Sequence, residues 1–216
     1  MNRSSDVRLS FVDVLWPGSG LLREAIWIGG GVLLTALLTR IEIPLTPVPI
    51  TGQTFAVLLV GALLGSKRGA LSMIAYIGAG LAGAPVFSHG GWGLSHLAGP
   101  TGGYLVGFVI AAFLVGKLSE RGWDRRLSRT VFAMAFGTTA IYIAGCLWLA
   151  QSVGWNAVLE VGVLPFLIGD GLKVVLAAIA LPSGWAILNL QQSQGFRPSK
   201  QRIESVRTRQ QKHPLD

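Results

Sequence analysis

The chain has 216 residues, of which 51% are hydrophobic and 13% charged, with a formal net charge of +8. Soluble globular domains carry about 25% charged residues, so these charges are too few to coat a water-facing surface, and the composition excludes a soluble protein in favour of an integral membrane one. The positive excess does not point to nucleic acid, because nearly all of the 18 Lys and Arg residues lie outside the apolar runs, where they act as topology signals.

Residues 1–22 open with "MNRSSDVRLSFVDVLWPGSG". They lack a basic start followed by an unbroken apolar run, which predicts a cytoplasmic or interfacial segment and no cleaved leader. A helical span needs about 20 apolar residues, or about 17 at the short end. Six runs qualify or come close: 25–41, 52–65, 69–83, 102–118, 131–153 and 163–181, the last with a possible extension to residue 190. The second and third are short and separated by "SKR"; we read them as two helices, not one broken element. The expected fold is therefore an all-α integral membrane bundle of six transmembrane helices over residues 23–190, followed by a basic tail at 191–216.

The connections set the orientation. Arg3, Arg8 and Arg23 precede the first run, and Lys67 and Arg68 lie between the second and third. Lys117, Arg121, Arg125, Arg126 and Arg129 lie between the fourth and fifth. Arg197, Lys200, Arg202, Arg207, Arg209 and Lys212 follow the sixth. With six spans, 16 of the 18 basic residues fall on one side, leaving Arg40 opposite and Lys173 inside a span. Positive charge stays cytoplasmic, so both termini are expected inside; five or seven spans would break the alternation. The tail is expected to be frayed or a surface helix against anionic headgroups. The outer connections, residues 42–54, 83–103 and 152–162, are rich in Pro, Gly and aromatics. A loop of about 20 residues with no evident secondary structure is uncommon unless it works for the protein, and 83–103 reads as a binding lid or floor.

The sixth run, "VGVLPFLIGDGLKVVLAAIAL", carries Asp170 and Lys173. On a helix these lie on one face and can neutralise each other. An ionised group at mid-bilayer costs about 2.5–3.5 kcal/mol on insertion scales, and such groups face a bundle interior or cavity and mark a substrate or ion path. Asp170 follows Val163 by seven residues, about 10 Å along the axis, which puts it in the outer half of the membrane beneath the outer loops. An Asp accepts N–H donors and a Lys donates to carbonyl or carboxylate oxygen, so the pair suits a small polar ligand with donors and acceptors close together. Tyr104 and Trp92 could supply apolar walls with a polar handle, and Gln53 stands at a helix start near the outer face. Gly99, Gly103 and Gly107 form a small-residue stripe for close helix approach. His89 and His96 share the long loop but match no metal-binding spacing, and the lone Cys146 excludes an internal disulfide. "GALLGSKRG" does not satisfy the phosphate-loop pattern, so any ATP hydrolysis must come from another polypeptide. "GLSH" offers no separate base for an intramembrane protease.

Three motifs together, "IPLTPVPITGQTFAVLLVGALLGSKRGALSMIAYIGAGLAGAPVF", "LAGPTGGYLVGFVIAAFLVGKL" and "GVLPFLIGDGLKVVLAA", resemble the BioY family, the biotin-binding S components of energy-coupling factor (ECF) transporters. The resemblance covers about residues 40–182 in order and spacing. It implies a six-helix S-component-like bundle in the inner (plasma) membrane of a prokaryote, with biotin as ligand, no cofactor, and a transmembrane coupling protein and two ATPases as partners. It implies that Asp170 accepts the ureido N–H groups, that Lys173 holds Asp170 and reaches a ligand oxygen, and that Tyr104, Trp92, Gln53 and His89 complete the site. The family places an Asn where this chain has His89. S components typically carry Ala-x-x-x-Ala on the first helix for docking; here the nearest stripe is Gly31, Thr35 and Thr39, and Ala36 is followed at +4 by Arg40. Competing readings are a stand-alone biotin facilitator and an ion-coupled carrier with Asp170 as the titrating group.

Overall fold

A computed structural model of the chain describes residues 10–195, with side chains described through residue 190. Peptide groups in an apolar run have no water to bond, so such runs close their hydrogen bonds internally as helices. In chain order these are α1 (Phe11–Leu15), α2 (Leu21–Thr39), α3 (Gln53–Leu64), α4 (Ser66–Leu81), α5 (Gly93–Ala98), α6 (Gly102–Ser119), α7 (Leu127–Val153), α8 (Val158–Gly162) and α9 (Leu167–Gly195). Between α2 and α3 a short antiparallel ribbon pairs β1 (Glu42–Ile43) with β2 (Ile50–Thr51), Ile43 opposite Ile50.

Each of the six predicted runs is helical. Four stretches, Leu21–Thr39, Gly102–Ser119, Leu127–Val153 and Val158–Leu190, are long and apolar enough to cross a membrane. The helices α3 and α4 have 12 and 16 residues, about 18 and 24 Å at ~1.5 Å per residue, short of a hydrocarbon core of about 30 Å. They are two helices, as the sequence predicts. One residue joins them, Gly65 at φ +84°, a conformation that L side chains resist. The amide and hydroxyl of Ser66 both donate to Glu120 Oε1, at 2.8 and 2.6 Å. A carboxylate at the end of α6 thus satisfies orphan donors at the start of α4.

Glycines let the helix backbones touch. A Cβ on Gly61 would lie 2.6 Å from the Ala112 carbonyl oxygen, and one on Gly116 2.4 Å from the Gly65 carbonyl carbon, so α3, α4 and α6 meet without side chains between them. Gly103 and Gly107 bring α6 onto Ala144 and Ile141 of α7. Gly99, the third member of the predicted stripe, lies outside that contact and accepts a hydrogen bond from Trp148 Nε1 at 3.0 Å. Gly31, Thr35 and Thr39 are buried, and a Cβ on Gly31 would meet Ser72 Oγ of α4 at 2.6 Å. That stripe is therefore spent inside the molecule. The core gathers Leu58, Met73, Tyr76, Phe87, Met134, Ile141 and Leu149, while Leu33, Leu37, Phe132, Phe136, Ile168 and Leu172 are exposed, as lipid-facing positions are.

Two ends are distinguished by their charges. At one, Asp13 pairs with Arg23 at 2.8 Å and Arg68 at 2.9 Å, and Arg68 pairs with Glu24 at 2.5 Å. This ties α1, the start of α2 and the start of α4 together. Burial pushes the Asp13 carboxyl up, but hydrogen bonds from Ser10, Arg23 and Arg68 outweigh it and hold it at about 2. At the other end Arg40 donates to the Pro85 carbonyl, and the His89 amide donates to Glu42 Oε2 at 2.9 Å. The loop 83–103 is not structureless: it holds a 3-10 turn at Ser88–Gly90 and α5. Its glycines interrupt the apolar period that signals a helix, which is why the sequence reading passes over α5.

The chain divides into two compact units, 1–182 and 183–216. The division follows Pro182, which lies inside α9 and lacks the N–H its helical position would donate. In the second unit the described residues are helical to Gly195, past the predicted start of the tail at 191. The basic residues from Arg197 onward, and Arg3 and Arg8, lie outside the described residues.

Candidate ligand-binding site

The site begins with a helix start inside an apolar segment. A 3-10 turn at Leu164–Phe166, with Pro165 where a missing N–H is harmless, leads into α9 at Leu167. Asp170 therefore stands in the first turn of α9, near the positive end of the helix dipole. Lys173 follows on the same face, its Nζ 2.8 Å from Asp170 Oδ1.

Neither charge is left to the ion pair alone. The ammonium spends its three donors on Asp170 Oδ1, the Thr51 carbonyl and Thr54 Oγ1, each at 2.8 Å. Asp170 Oδ1 also accepts from Thr54 Oγ1 at 3.2 Å, and Oδ2 accepts from the Tyr142 hydroxyl at 2.6 Å. Desolvating two ions costs several kcal/mol each, and their attraction offsets it only when the remaining donors and acceptors are satisfied. Here β2, the first turn of α3, and α7 supply those partners. Asp170 is 5% exposed.

These groups face a cavity. It is lined on the polar side by Thr51, Gln53, Thr54, Tyr142, Asp170 and Lys173, and on the apolar side by Val48, Pro49, Leu105, Phe108 and Phe166; Tyr104, Ser88, His96 and Thr101 complete it. Its open space is about 40 Å³, room for only a few water molecules at ~10–15 Å³ each. A molecule larger than that fits only where side chains move aside. Among the described residues no group of three or more His, Cys, Asp or Glu is placed to hold a metal ion.

Four of the six residues singled out from the sequence line this cavity: Asp170, Lys173, Gln53 and Tyr104. Gln53 is buried and engaged, accepting from Thr51 Oγ1 at 2.9 Å and donating to the Tyr76 hydroxyl at 2.7 Å. Tyr104 presents its ring, while its hydroxyl donates to the Gly162 carbonyl at 2.8 Å. His89 and Trp92 are not among the lining residues. His89 takes φ 55° and is pinned through its amide to Glu42; Trp92 is 59% exposed and lines a separate outer groove. His96 stands where those two were expected. Its ring stacks on Phe87 with centroids 5.0 Å apart, and its Nε2 lies 3.4 Å from Ser88 Oγ and 3.3 Å from Thr101 Oγ1. Burial, with the nearby His89 adding to it, pulls the His96 imidazole below its usual range. Sequence reasoning missed Thr54 and Tyr142. Tyr142 had a signal, a hydroxyl in the middle of an apolar span; Thr54, in the first turn of α3, had none beyond its neighbour Gln53.

Comparison with known proteins gives the chain its family. Residues 4–190 match the sequence model of the BioY family. The probable biotin transporter BioY of Pyrococcus horikoshii is 41% identical over 148 residues, covering 68% of this chain and 87% of that one. The biotin transporter BioY of Rhizobium etli is 36% identical over 68% of this chain and 83% of its own, and that of Thermotoga maritima 36% identical over 73% and 93%. A crystal structure of the S-component for biotin from an ECF-type ABC transporter superposes with a TM-score of 0.61 at 24% identity, over 77% of this chain and 94% of that one, a likeness of fold. With a family match through 187 consecutive residues (4–190) and relatives above 30% identity across two thirds of its length, this multi-pass helical chain belongs to the BioY family.

Proposed function

We propose that the chain is the biotin-capturing subunit of an ECF-type transporter, taking biotin from the outer side of a prokaryotic plasma membrane, with both termini and the basic tail from residue 191 in the cytoplasm. The carrying observation is the buried Asp170–Lys173 couple turned to a cavity with its hydrogen bonds supplied by three other elements. Biotin offers two ureido N–H donors and one ureido carbonyl in one ring. The Asp170 carboxylate accepts the N–H groups. Lys173 or Thr54 donates to the carbonyl, exchanging one of its present internal bonds for a ligand bond. Tyr104, Phe108 and Phe166 cover the sulfur-containing ring, and Gln53 holds Thr51, whose carbonyl positions Lys173. The relatives named as biotin transporters support transport and not catalysis. Energy is then supplied by separate ATPase subunits through a transmembrane coupling protein.

Calorimetric titration of the purified chain with biotin tests the site. Wild type binds; Asp170→Asn and Lys173→Ala each weaken binding by roughly thirtyfold to several thousandfold, the 2–5 kcal/mol lost when one partner of a buried hydrogen-bonded charge pair is removed. Unchanged affinity in both variants removes the site. Uptake that persists in cells lacking the coupling and ATPase subunits removes the assembly.

A further inference from the structure

Among the described residues His96 alone lines both the inner cavity and a second, shallow and open outer groove of about 420 Å³ formed with Gly90, Gly91, Trp92 and Ser95. The two faces of its ring are distinct. Nε2 lies between the hydroxyls of Ser88 and Thr101, both of which line the inner cavity. Nδ1 faces Gly91 of the groove, where a Cβ would come within 2.2 Å of it. The imidazole is thus a partition one ring thick. It is held by stacking on Phe87 and by two hydrogen bonds near the long limit, so little binds it in place. Beyond it, Gly90 puts no side chain into the groove, the space over Gly91 is taken by the His96 ring itself, and Trp92 offers an exposed ring along the wall.

Resting on the biotin reading above, with the ureido ring at Asp170, the carboxyl end of the ligand points away from α9 toward His96, Ser88 and Thr101. We infer that the outer groove is a second subsite for whatever is joined to that end, so that the chain takes up biotin amides, biotin whose carboxyl is linked to a small aliphatic amine, as well as the free acid. The amide replaces a carboxylate by a neutral group, which the neutral imidazole and the two hydroxyls accept equally well as donors and acceptors. The aliphatic stem of the amine passes the His96 ring beside Gly90 and packs on the Trp92 ring, and its polar end returns to water. This gives a use to an exposed indole that contributes nothing to the inner cavity.

The test is displacement of radiolabelled biotin from the purified chain by biotinyl-lysine. Wild type is expected to bind biotinyl-lysine within about tenfold of biotin. Ser95→Trp, which fills the groove from an exposed position, is expected to weaken biotinyl-lysine by roughly tenfold or more while moving biotin by less than about threefold; retained biotin binding also reports that the variant is folded. Trp92→Ala is expected to weaken the amide. Failure of biotinyl-lysine to displace biotin from wild type overturns the subsite, as does an equal loss of both ligands in Ser95→Trp. Absence of biotin binding by wild type overturns the biotin reading and the subsite with it, and is distinguished by the first titration alone.

Discussion

Tyr142 shows how much of the site depends on a single hydroxyl. Its 2.6 Å bond to Asp170 Oδ2 keeps one oxygen oriented while Lys173 and Thr54 hold the other. Hydrogen bonds to charged groups contribute about 1.5–3 kcal/mol. Tyr142→Phe is therefore expected to weaken biotin binding roughly ten- to a hundredfold, less than Asp170→Asn; equal affinity by titration would show that the hydroxyl is idle. The charged half of this arrangement was legible in the sequence, because two ionisable groups three residues apart in an apolar run have few places to go. Tyr142 showed only as a hydroxyl in an apolar span and its partner was not readable, because it meets Asp170 only through the packing of α7 against its neighbours, across 28 residues of chain. That His89 and Trp92 do not line the inner cavity was unreadable for a related reason. The path of their loop turns on positive φ at His89, Gly90 and Gly93, and nothing in the residue order says which side chain such a path turns inward.

At the scale of elements, the helices were readable and their joints less so. Apolar length and basic punctuation set α2, α3, α4, α6 and α7 close to their observed bounds, whereas α1 and α5, of 5 and 6 residues, are too short to carry a period. The joint between α3 and α4 is sensitive to substitution, since Gly116 has the Gly65–Ser66 backbone within 2.6 Å of where a Cβ would stand. Gly116→Val is expected to cost about 1–3 kcal/mol as an overpacked contact, read as a lowered melting temperature in detergent; an unchanged melt would mean that the three helices are free to separate. The other joint is electrostatic. Asp13 titrates at about 2 in the fold against 3.8 unperturbed. A carboxyl with a depressed folded value contributes stability that is full above the unfolded value and is lost as pH falls toward the folded one. The difference in melting temperature between wild type and Asp13→Asn should accordingly be constant above about pH 4 and shrink between about pH 4 and pH 2. A difference that does not change over that window would contradict the clamp on α1.

For the whole molecule, orientation follows from where the cations gather. Arg23, Arg68 and Lys117 lie among the ion pairs at one end, and Arg40 and α5 belong to the other. With Cys146→Ser as background, Leu94→Cys is expected to react with a membrane-impermeant maleimide in intact cells, and Lys67→Cys only after the membrane is opened; the reverse pattern inverts the topology. The small cavity adds a second expectation at this scale, that ligand capture moves the loops and side chains around it. Both meet in one observation, a crystal structure of the purified chain with biotin bound. The ureido nitrogens should lie within hydrogen-bond distance of the Asp170 carboxylate, with the ligand in the enlarged cavity between α3, α6, α7 and α9. Biotin bound elsewhere, with the contacts among Asp170, Lys173, Thr54 and Tyr142 unchanged, would contradict the assignment of this couple as the site of capture.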